Sequence, residues 1–407
     1  MINIIKKMDQ TVTNFINNNA AEQQLPVVIA LNDQCNEVDL CQLCKLSSLD
    51  AVSYQLKEVK QITGKLCRHT LGQLQNHPDV NFIHYDYKVR ANLNTATAAI
   101  GSREINNNFG LTGKGITISV IDSGIYRHYD LITPANRIVG FADFVNGQTV
   151  PYDDNGHGTH VAGAIAGNGT ASSGTYRGVA PEANLVGVKV LDSQGNGSLS
   201  NVVAGIDWSI ANRSKYGIRV INLSLGADPY TSYTNEPLAQ ACEKAWRTGI
   251  VVVAAAGNSG PSGTIDTPGF DPIILTVGAV NDRNTIPLTD DIPGDYTSSK
   301  PTVDGFIKPD IALPGTNITS LISPNSVLAN QNPQNKVGNQ YLTLTGTSMA
   351  AGVASGAVAL LLQAYPPLTP DVIKVRMIEA SRYFAPDFSG YSILTTLFNM
   401  TRHYNKI

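Results

Sequence analysis

The sequence predicts an α/β protein with a parallel sheet and helices on both faces, preceded by a small α+β ferredoxin-like domain. From residue 113 onward, short apolar and β-branched runs alternate with helical patterns, which is typical of a parallel sheet covered on both faces. Residues 25–90 carry the element order βαββαβ. The 407 residues suffice for one large domain and one small one.

The small domain is predicted between a flexible tail at 1–24, which is rich in Asn and Gln, and a linker at 91–100. Its predicted elements are a strand at 26–31, a helix at 37–46, strands at 51–59 and 62–66, a helix at 68–75 and a strand at 80–86. The junction from Lys88 to Ile100 contains many Ala, Asn and Thr residues, which indicates an exposed, cleavable segment.

The large domain is predicted to span residues 101–407. Its predicted strands lie at 116–121, 185–191, 220–225, 250–256 and 273–277, and its helices at 201–211, 236–247 and 369–380. The helix at 201–211 has Val202, Ile206 and Ile210 at helical spacing. The last helix begins with Thr369 as its N-cap and Pro370 in its first turn.

The charge and the N-terminus exclude several classes of partner and location. The net charge of −3 implies no nucleic acid, and no apolar run is long enough to span a membrane. The N-terminus lacks the apolar core of ~7–15 residues of a secretion signal, so a cytoplasmic location is expected, with export by another route left open. A monomer is also expected. The odd count of five cysteines favours reduced thiols.

Ser348 is the first candidate for chemistry. It follows an apolar strand pattern at 341–344 and a tight turn, and it opens a helix of small and apolar residues. Unpaired backbone N–H groups and the positive end of the helix dipole at such a position suit a nucleophilic hydroxyl in acyl transfer. Taken alone, a serine at a helix start is better explained as a cap.

Two further stretches favour the chemical interpretation. Asp122 ends an apolar strand pattern, where open α/β sheets place their sites, and His157 opens a helix after a glycine-containing loop. A serine nucleophile needs a base, and the base needs an acid to orient it. The chain order Asp122, His157, Ser348 is that of subtilisin, and no Gly-x-Ser-x-Gly sequence surrounds Ser348.

The chain therefore resembles the subtilisin family of serine proteases from about residue 113 to its end. Four blocks carry the resemblance and occur in family order: Val-Ile-Asp-Ser-Gly at 120–124, Asn-Gly-His-Gly-Thr-His-Val-Ala-Gly at 155–163, Ala-Ala-Gly-Asn at 255–258 and Gly-Thr-Ser-Met-Ala at 346–350. Segments 176–184 and 323–326 are most similar to the AprX-like intracellular subtilisins.

The resemblance implies a role for each site residue. Ser348 would be the nucleophile, His157 the general base and Asp122 its orienting acid, with the Asn258 amide and the Ser348 N–H as oxyanion hole. The segments that would pair with an extended polypeptide substrate contain Gly195, Gly197, Ser224, Leu225 and Gly226. One wall of the pocket for the residue before the scissile bond would be formed by Ala255, Ala256 and Gly257, whose small size leaves room for a sizeable apolar side chain. His160 is expected to be structural.

The resemblance also implies a zymogen. Residues 25–90 match the position of the family's inhibitory propeptide, which covers the active-site face and assists folding. We expect self-processing between Arg90 and Ala98. Gly352 and Val353 stand where the family usually has Pro and often His, so weakened activity is expected.

No cofactor is expected. The loop that chelates calcium in secreted relatives is replaced by residues 169–177, which contain no carboxylate. Asp130 matches a calcium-associated position of the family but has no evident partner in the sequence. Structural calcium is therefore not favoured.

Two alternatives compete with the endopeptidase interpretation. A catalytically silent member of the fold could act as a binding or scaffolding protein, but such proteins usually lack a triad residue and all three are present here. An esterase or a peptide ligase could use the same triad, although the peptide-pairing segments favour amide hydrolysis.

Overall fold

The computed structural model of the chain describes residues 7–32, 47–86, 88–91, 102–283, 291–382 and 391–392. Within these residues the strands form a four-stranded sheet, a ten-stranded sheet and two three-stranded sheets. The four-stranded sheet belongs to the N-terminal unit, and the ten-stranded sheet organises the rest of the chain.

The N-terminal unit is an antiparallel sheet flanked by helices. Its elements are α1 (Gln10–Asn18), β1 (Gln24–Leu31), β2 (Ala51–Leu56), β3 (Gln61–Cys67), α2 (Arg68–Leu74) and β4 (Val80–Tyr85). The sheet order β2-β3-β1-β4 places the first strand between the third and the fourth. The four predicted strands of the ferredoxin-like unit are present, and the predicted helix at 37–46 lies outside the described residues.

The prediction of a flexible tail at residues 1–24 is wrong for its described part. Asp9 caps α1 by accepting a hydrogen bond from the backbone N–H of Val12 at 2.8 Å. Met8 and Val12 are buried in the core of the N-terminal unit, in the same cluster as Ile83. The polar Asn and Gln residues hid the apolar face by which this helix packs on the sheet.

The remaining elements alternate between strand and helix. The strands are β5 (Lys88–Ala91), β6 (Thr117–Asp122), β7 (Ile138–Asp143), β8 (Asn184–Lys189), β9 (Asn196–Ser198), β10 (Ile218–Leu223), β11 (Leu225–Gly226), β12 (Val251–Ala255), β13 (Leu275–Asn281), β14 (Ile292–Pro293), β15 (Ile311–Pro314), β16 (Ile318–Leu321), β17 (Lys336–Val337), β18 (Tyr341–Leu344), β19 (Ser381–Arg382) and β20 (Tyr391–Ser392). The α-helices are α3 (Ser102–Phe109), α4 (Tyr129–Ile132), α5 (His157–Ala166), α6 (Leu199–Ala211), α7 (Arg213–Tyr216), α8 (Pro237–Arg247), α9 (Val327–Gln331), α10 (Thr347–Ala364) and α11 (Pro370–Glu379). Short 3₁₀ turns lie at Thr170–Ser172, Tyr233–Asn235 and Pro333–Asn335.

The main sheet is parallel, as predicted. Its order is β7-β8-β6-β10-β12-β13-β15-β20-β19, with β14 paired to β13, and only the β13–β14 and β19–β20 ladders are antiparallel among the described strands. Strands β6 and β12, which are rich in β-branched residues, are buried along their whole length, as expected for a sheet covered on both sides. Helices α5 and α10 pack together against the sheet, and α6 and α8 form a second packed pair.

Helix α10 is the central helix of this core. By its length of 18 residues and its mostly apolar composition, this helix could cross a membrane. However, 89% of it is buried inside the fold. It contacts α5 and the strands β10, β12, β13 and β15. Its composition is therefore that of a core helix of the described fold.

The junction after the N-terminal unit begins as a strand. β5 pairs antiparallel with β11 on one side and with β9 on the other. The predicted cleavable segment therefore begins, at Lys88–Ala91, as a strand with both backbone edges paired. Residues 92–100 lie outside the described part of the chain.

Candidate active site

Three elements bring Asp122, His157 and Ser348 to one edge of the main sheet. Asp122 is the last residue of β6, His157 is the first residue of α5, and Ser348 lies in the first turn of α10. All three residues are buried, with no exposed surface. α5 and α10 pack side by side, so the two helix starts lie close together beyond the strand ends.

The Asp122 carboxylate orients the His157 ring. His157 Nδ1 lies 2.8 Å from Asp122 Oδ1 and 3.0 Å from Oδ2, and the backbone N–H of Ser123 also donates to Oδ1 at 2.7 Å. Because a carboxylate only accepts hydrogen bonds, the proton of the neutral ring lies on Nδ1. Nε2 is then the basic nitrogen of the ring.

Asp153, which the sequence analysis did not single out, holds the loop that presents His157. Its Oδ1 accepts hydrogen bonds from Gly156 N at 2.8 Å and Ser123 Oγ at 2.9 Å, and its Oδ2 accepts from Thr159 N at 2.8 Å. The adjacent Asp154 instead accepts from the buried Lys189 Nζ at 2.6 Å. The only signal in the sequence was an acidic pair three and four residues before the histidine, and that pair does not reveal which member faces inward.

Ser348 is tied to the end of β10 by reciprocal hydrogen bonds. Its Oγ donates to the Ser224 carbonyl at 3.0 Å, and Ser224 Oγ donates to the Ser348 carbonyl at 2.8 Å. Behind them, Asn222 Nδ2 donates to Ser224 Oγ at 2.9 Å, and Ser355 Oγ donates to Asn222 Oδ1 at 2.9 Å. This buried chain of polar groups fixes the first turn of α10 against the sheet.

Asn258 faces the same helix start. Its Oδ1 accepts hydrogen bonds from Thr347 N at 3.0 Å and Thr347 Oγ1 at 3.1 Å. Its Nδ2 is buried and has no hydrogen-bond acceptor among the described residues. The site therefore contains an uncommitted donor beside the turn that carries Ser348, as an oxyanion hole requires.

The predicted peptide-pairing segments form the two sides of a cleft, and β5 lies in it. Arg90 is opposite Gly226 and Ala91 opposite Leu225 on one side, while Val89 is opposite Gly197 on the other. Gly195 precedes β9 in a turn with φ of +76° and lies outside this ladder. Ser224 contacts Ser348 rather than the strand in the cleft.

The segment that contains Asp266 and Thr267 bridges two walls of this cleft. Asp266 N donates to the Ala256 carbonyl at 3.0 Å, and Thr267 N donates to the Ala227 carbonyl at 2.9 Å. The predicted pocket wall at Ala255, Ala256 and Gly257 and the opposite edge after β11 are thereby joined. The sequence analysis did not include this bridging segment.

His160 is placed as a structural residue. It is fully buried, and its Nε2 lies 3.0 Å from both the Ile318 and the Leu342 carbonyl oxygens, so it ties α5 to β16 and β18. Burial, with a contribution from nearby His157, lowers the pKa of His160 to about 3. A neutral ring that donates from Nε2 fits this position.

The residues at the calcium-associated position do not fit a calcium ion. The carboxylate of Asp130 accepts hydrogen bonds from Tyr341 Oη at 2.7 Å and from Ala171 N at 2.7 Å. Calcium requires six to eight oxygen ligands, several of them carboxylates. Among the described residues no cluster of three or more His, Cys, Asp or Glu side chains could hold a metal ion.

Comparison with known proteins identifies the same family along most of the chain. Residues 113–398 match the sequence model of the Subtilase family. Serine protease AprX of Bacillus subtilis is 43% identical over 365 residues, which cover 86% of this chain and 81% of that protein. The thermostable alkaline protease of Halalkalibacterium halodurans is 32% identical, with 84% of each chain covered.

A solved structure supports the fold independently. Fervidolysin from Fervidobacterium pennivorans, a keratinolytic enzyme related to subtilisin, superposes with a TM-score of 0.71 at 20% identity. The match covers 93% of this chain and 61% of that longer chain. The predicted subtilisin-like fold is thereby confirmed.

Proposed function

The chain belongs to the Subtilase family and is a subtilisin-like serine protease, and we propose that Asp122, His157 and Ser348 are its catalytic triad. The buried contact of 2.8 Å between His157 Nδ1 and Asp122 carries this proposal. A carboxylate that accepts the Nδ1 hydrogen bond leaves Nε2 as the base. It also stabilises the imidazolium that forms when Nε2 takes a proton.

The proposed reaction is peptide-bond hydrolysis through an acyl-enzyme. Ser348 Oγ attacks the scissile carbonyl carbon while His157 Nε2 takes its proton, and the resulting imidazolium gives that proton to the leaving amine. Water then attacks the acyl carbonyl with His157 again as base, and the carboxylic acid product leaves. Asn258 Nδ2 and the Ser348 N–H donate to the oxyanion in both steps.

We further propose that the N-terminal unit is an inhibitory propeptide and that the chain is a self-processing zymogen. The pairing of β5 with both β9 and β11 supports inhibition, because a substrate strand would need the same edges. Contacts between the units support docking: Asp86 accepts from Ser200 N at 2.8 Å, and Val59 N donates to Asp207 Oδ1 at 3.1 Å. Processing is proposed between Arg90 and Ala98.

The test compares the wild type with Ser348→Ala and Ser262→Ala by intact mass and N-terminal sequencing. Ser262 is an exposed serine and serves as the matched control. We expect the wild type and Ser262→Ala to be cut between Arg90 and Ala98, and Ser348→Ala to stay full length. Cutting of purified Ser348→Ala at the same bond would contradict self-processing.

Labelling with a serine-reactive phosphonate tests the nucleophile separately from processing. We expect one label per chain, located on Ser348 and lost in Ser348→Ala. A propeptide-free wild type that neither takes the label nor hydrolyses peptides would contradict the triad assignment.

A further inference from the structure

Lys189 carries a charge that is buried beside the candidate triad and has no part in the proposed reaction. It is the last residue of β8, its side chain is fully buried, and it lies opposite Asp122 of β6 in the sheet. Its Nζ donates at 2.7 Å to the Ser123 carbonyl, at 2.6 Å to Asp154 Oδ1 and at 2.8 Å to the Leu191 carbonyl. An ammonium group has three N–H donors, and these three acceptors use all of them.

The three acceptors lie in three separate loops at the edge of the sheet that carries the candidate site. Ser123 directly follows Asp122 at the end of β6. Asp154 precedes His157 by three residues, and Leu191 lies between β8 and β9. A single cation thereby links the loop after the orienting acid, the loop that presents the base and the segment that leads to one side of the cleft.

The acidic pair Asp153 and Asp154 holds Ser123 from two directions. Ser123 Oγ donates to Asp153 Oδ1 at 2.9 Å, while the Ser123 carbonyl shares the Lys189 ammonium with Asp154. The histidine loop is also tied to the start of α9, because Val327 N donates to the Asp154 carbonyl at 3.0 Å. These further contacts should keep the loop folded when Lys189 is replaced, but the link through the cation is then lost.

We infer that Lys189 is a positioning residue of the reaction, which holds the loops of Asp122 and His157 at the separation that their hydrogen bond requires. The inference rests on the proposed function. Lys189 acts only through these two residues, since its ammonium is saturated by protein acceptors and is buried away from the cleft. A misplacement of reacting groups by about 1 Å can cost about 10²-fold in rate.

The ion pair of Lys189 and Asp154 also sets the electrostatic balance around His157. The ammonium opposes the imidazolium that His157 becomes during the reaction, and the carboxylate favours it. The two charges lie 2.6 Å apart, so their effects on the ring largely cancel. Removal of either charge leaves the other one uncompensated, and the two removals should shift the protonation of His157 in opposite directions.

Other charged and titratable groups around the two side chains are unchanged in the variants used below. Burial lowers the pKa of His160 to about 3, so this ring stays neutral, and burial raises the pKa of the Tyr152 phenol, so it stays protonated. The groups are Asp122, Asp153 and His160 on the side of His157, and Asp143 and Tyr152 on the side of Lys189.

The test measures kcat, KM and the pH profile of processed Lys189→Met and Asp154→Asn on one peptide substrate. Lys189→Met keeps an unbranched side chain without charge or donors. We expect its kcat to fall roughly 10–10²-fold with a smaller change in KM, and the acid limb of kcat/KM to move to higher pH by roughly 0.5–1 unit. Asp154→Asn should move that limb to lower pH. A variant that processes slowly is cut by tagged wild-type enzyme, which is then removed.

Lys308→Met is the matched control. Lys308 is also buried, and its Nζ donates to Asp310 Oδ2 at 2.7 Å and to the Ile274 carbonyl at 3.0 Å. It lies where β13 begins, at the edge of the sheet opposite the candidate site. Lys308→Met should lower the melting temperature as Lys189→Met does, but it should leave kcat and the acid limb at their wild-type values.

The outcomes separate the two proposals. A wild-type kcat and an unmoved acid limb in Lys189→Met would overturn the role of Lys189 and leave the proposed function intact. Shifts of the same sign in Lys189→Met and Asp154→Asn would also overturn it. If Lys189→Met does not fold, Asp154→Asn decides alone, and an unmoved or raised limb counts against the inference. A processed wild type that neither hydrolyses peptides nor takes the phosphonate label would contradict the proposed function itself.

Discussion

The backbone N–H of Thr347 donates to Asn258 Oδ1 at 3.0 Å, and this contact fixes which end of the Asn258 amide faces the reacting groups. The Thr347 hydroxyl donates to the same oxygen at 3.1 Å. With its oxygen held twice, the amide presents Nδ2 as the free end, and that atom is buried without an acceptor among the described residues.

Asn258→Ala should therefore lower kcat by about 10²–10³-fold and change KM little, because the lost hydrogen bond forms only as the oxyanion develops. The magnitude is the one known for the equivalent kind of donor in subtilisin. Thr347→Val, which removes one of the two donors to Asn258 Oδ1, should have a smaller effect. Steady-state kinetics on a peptide substrate measure both, and a decrease below about 3-fold for Asn258→Ala would argue against the oxyanion hole.

Two buried glycines of α10 should respond to alanine in opposite directions. A β-carbon on Gly352 would meet its nearest neighbour, Val161 on α5, at 3.4 Å, an ordinary contact, whereas one on Gly356 would lie 2.6 Å from Val179 Cβ. Gly352→Ala should stabilise by about 0.4–1 kcal/mol, because alanine restricts the unfolded chain. Gly356→Ala should destabilise by about 1–3 kcal/mol through overlap.

Thermal unfolding of both variants in the Ser348→Ala background, which prevents self-digestion, measures the pair. A destabilising Gly352→Ala would show that α10 and α5 are packed more closely around Gly352 than the contacts indicate. The result also bears on the weakened activity that was expected from Gly352, since a loosened helix would explain it. α10 is nevertheless a continuous helix through this residue.

Tyr341 should contribute to stability through its hydrogen bond to the Asp130 carboxylate. Burial raises the pKa of the Tyr341 phenol, and the hydrogen bond to Asp130 raises it further, so the hydroxyl stays a donor. Tyr341→Phe leaves a buried carboxylate oxygen with one donor fewer, at a cost of about 1–3 kcal/mol. The half-exposed Tyr129 gives the control Tyr129→Phe, which should stay within about 0.5 kcal/mol of the parent.

Removal of metal ions by a chelator is a second test of the Asp130 site. Because protein donors occupy the Asp130 carboxylate, we expect EDTA to leave the melting temperature of the full chain unchanged. A fall in melting temperature that added calcium reverses would show that a metal site stabilises the protein.

The docking of the N-terminal unit should weaken as the pH rises. Burial, assisted by the negative charge of Glu58, raises the pKa of Asp207 from 3.8 to about 6, and burial also raises the pKa of Asp86. The docked, folded chain then binds more protons than the unfolded chain between about pH 4 and 6, so its stability falls as the pH rises through this interval and changes little above about pH 7.

Melting of full-length Ser348→Ala between pH 4 and 7 measures this dependence. Adding Asp207→Asn should flatten the profile, since the amide does not titrate. Glu379→Gln, on an exposed acid of α11, should leave it unchanged. A profile that is as steep with Asp207→Asn as without it would assign the dependence to other groups.

The sheet and the positions of Asp122, His157 and Ser348 within it were predictable because their signals are local. A buried parallel strand is rich in apolar and β-branched residues, so β6, β8, β10, β12 and β13 stand out in the sequence. The candidate residues lie at the ends of elements: Asp122 at a strand end, and His157 and Ser348 at helix starts. Residues at these positions are expected at the edge of the sheet where the strands end. Helix α1 was missed because only a few apolar residues mark its buried face.

The position of Asp266 between Gly226 and Gly257 could not be predicted in the same way. Asp266 lies in an irregular segment, nine residues after Gly257 and forty after Gly226, and nothing local indicates that the chain returns between those two glycines. The pocket wall predicted at Ala255, Ala256 and Gly257 suggested an apolar space, because the sequence does not show that Asp266 lies against Gly257. Asp153 was missed for a related reason, since its orientation depends on the fold of the loop.

Strand β5 has no free edge, because β9 and β11 pair with its two sides. A target polypeptide that takes its place must leave whatever hairpin, sheet or helix already satisfies its own backbone. Segments that are unstructured, frayed or damaged meet that condition, and intact folded domains do not. Discrimination between bystander proteins and suitable targets would then depend first on local unfolding, before any side chain reaches its pocket.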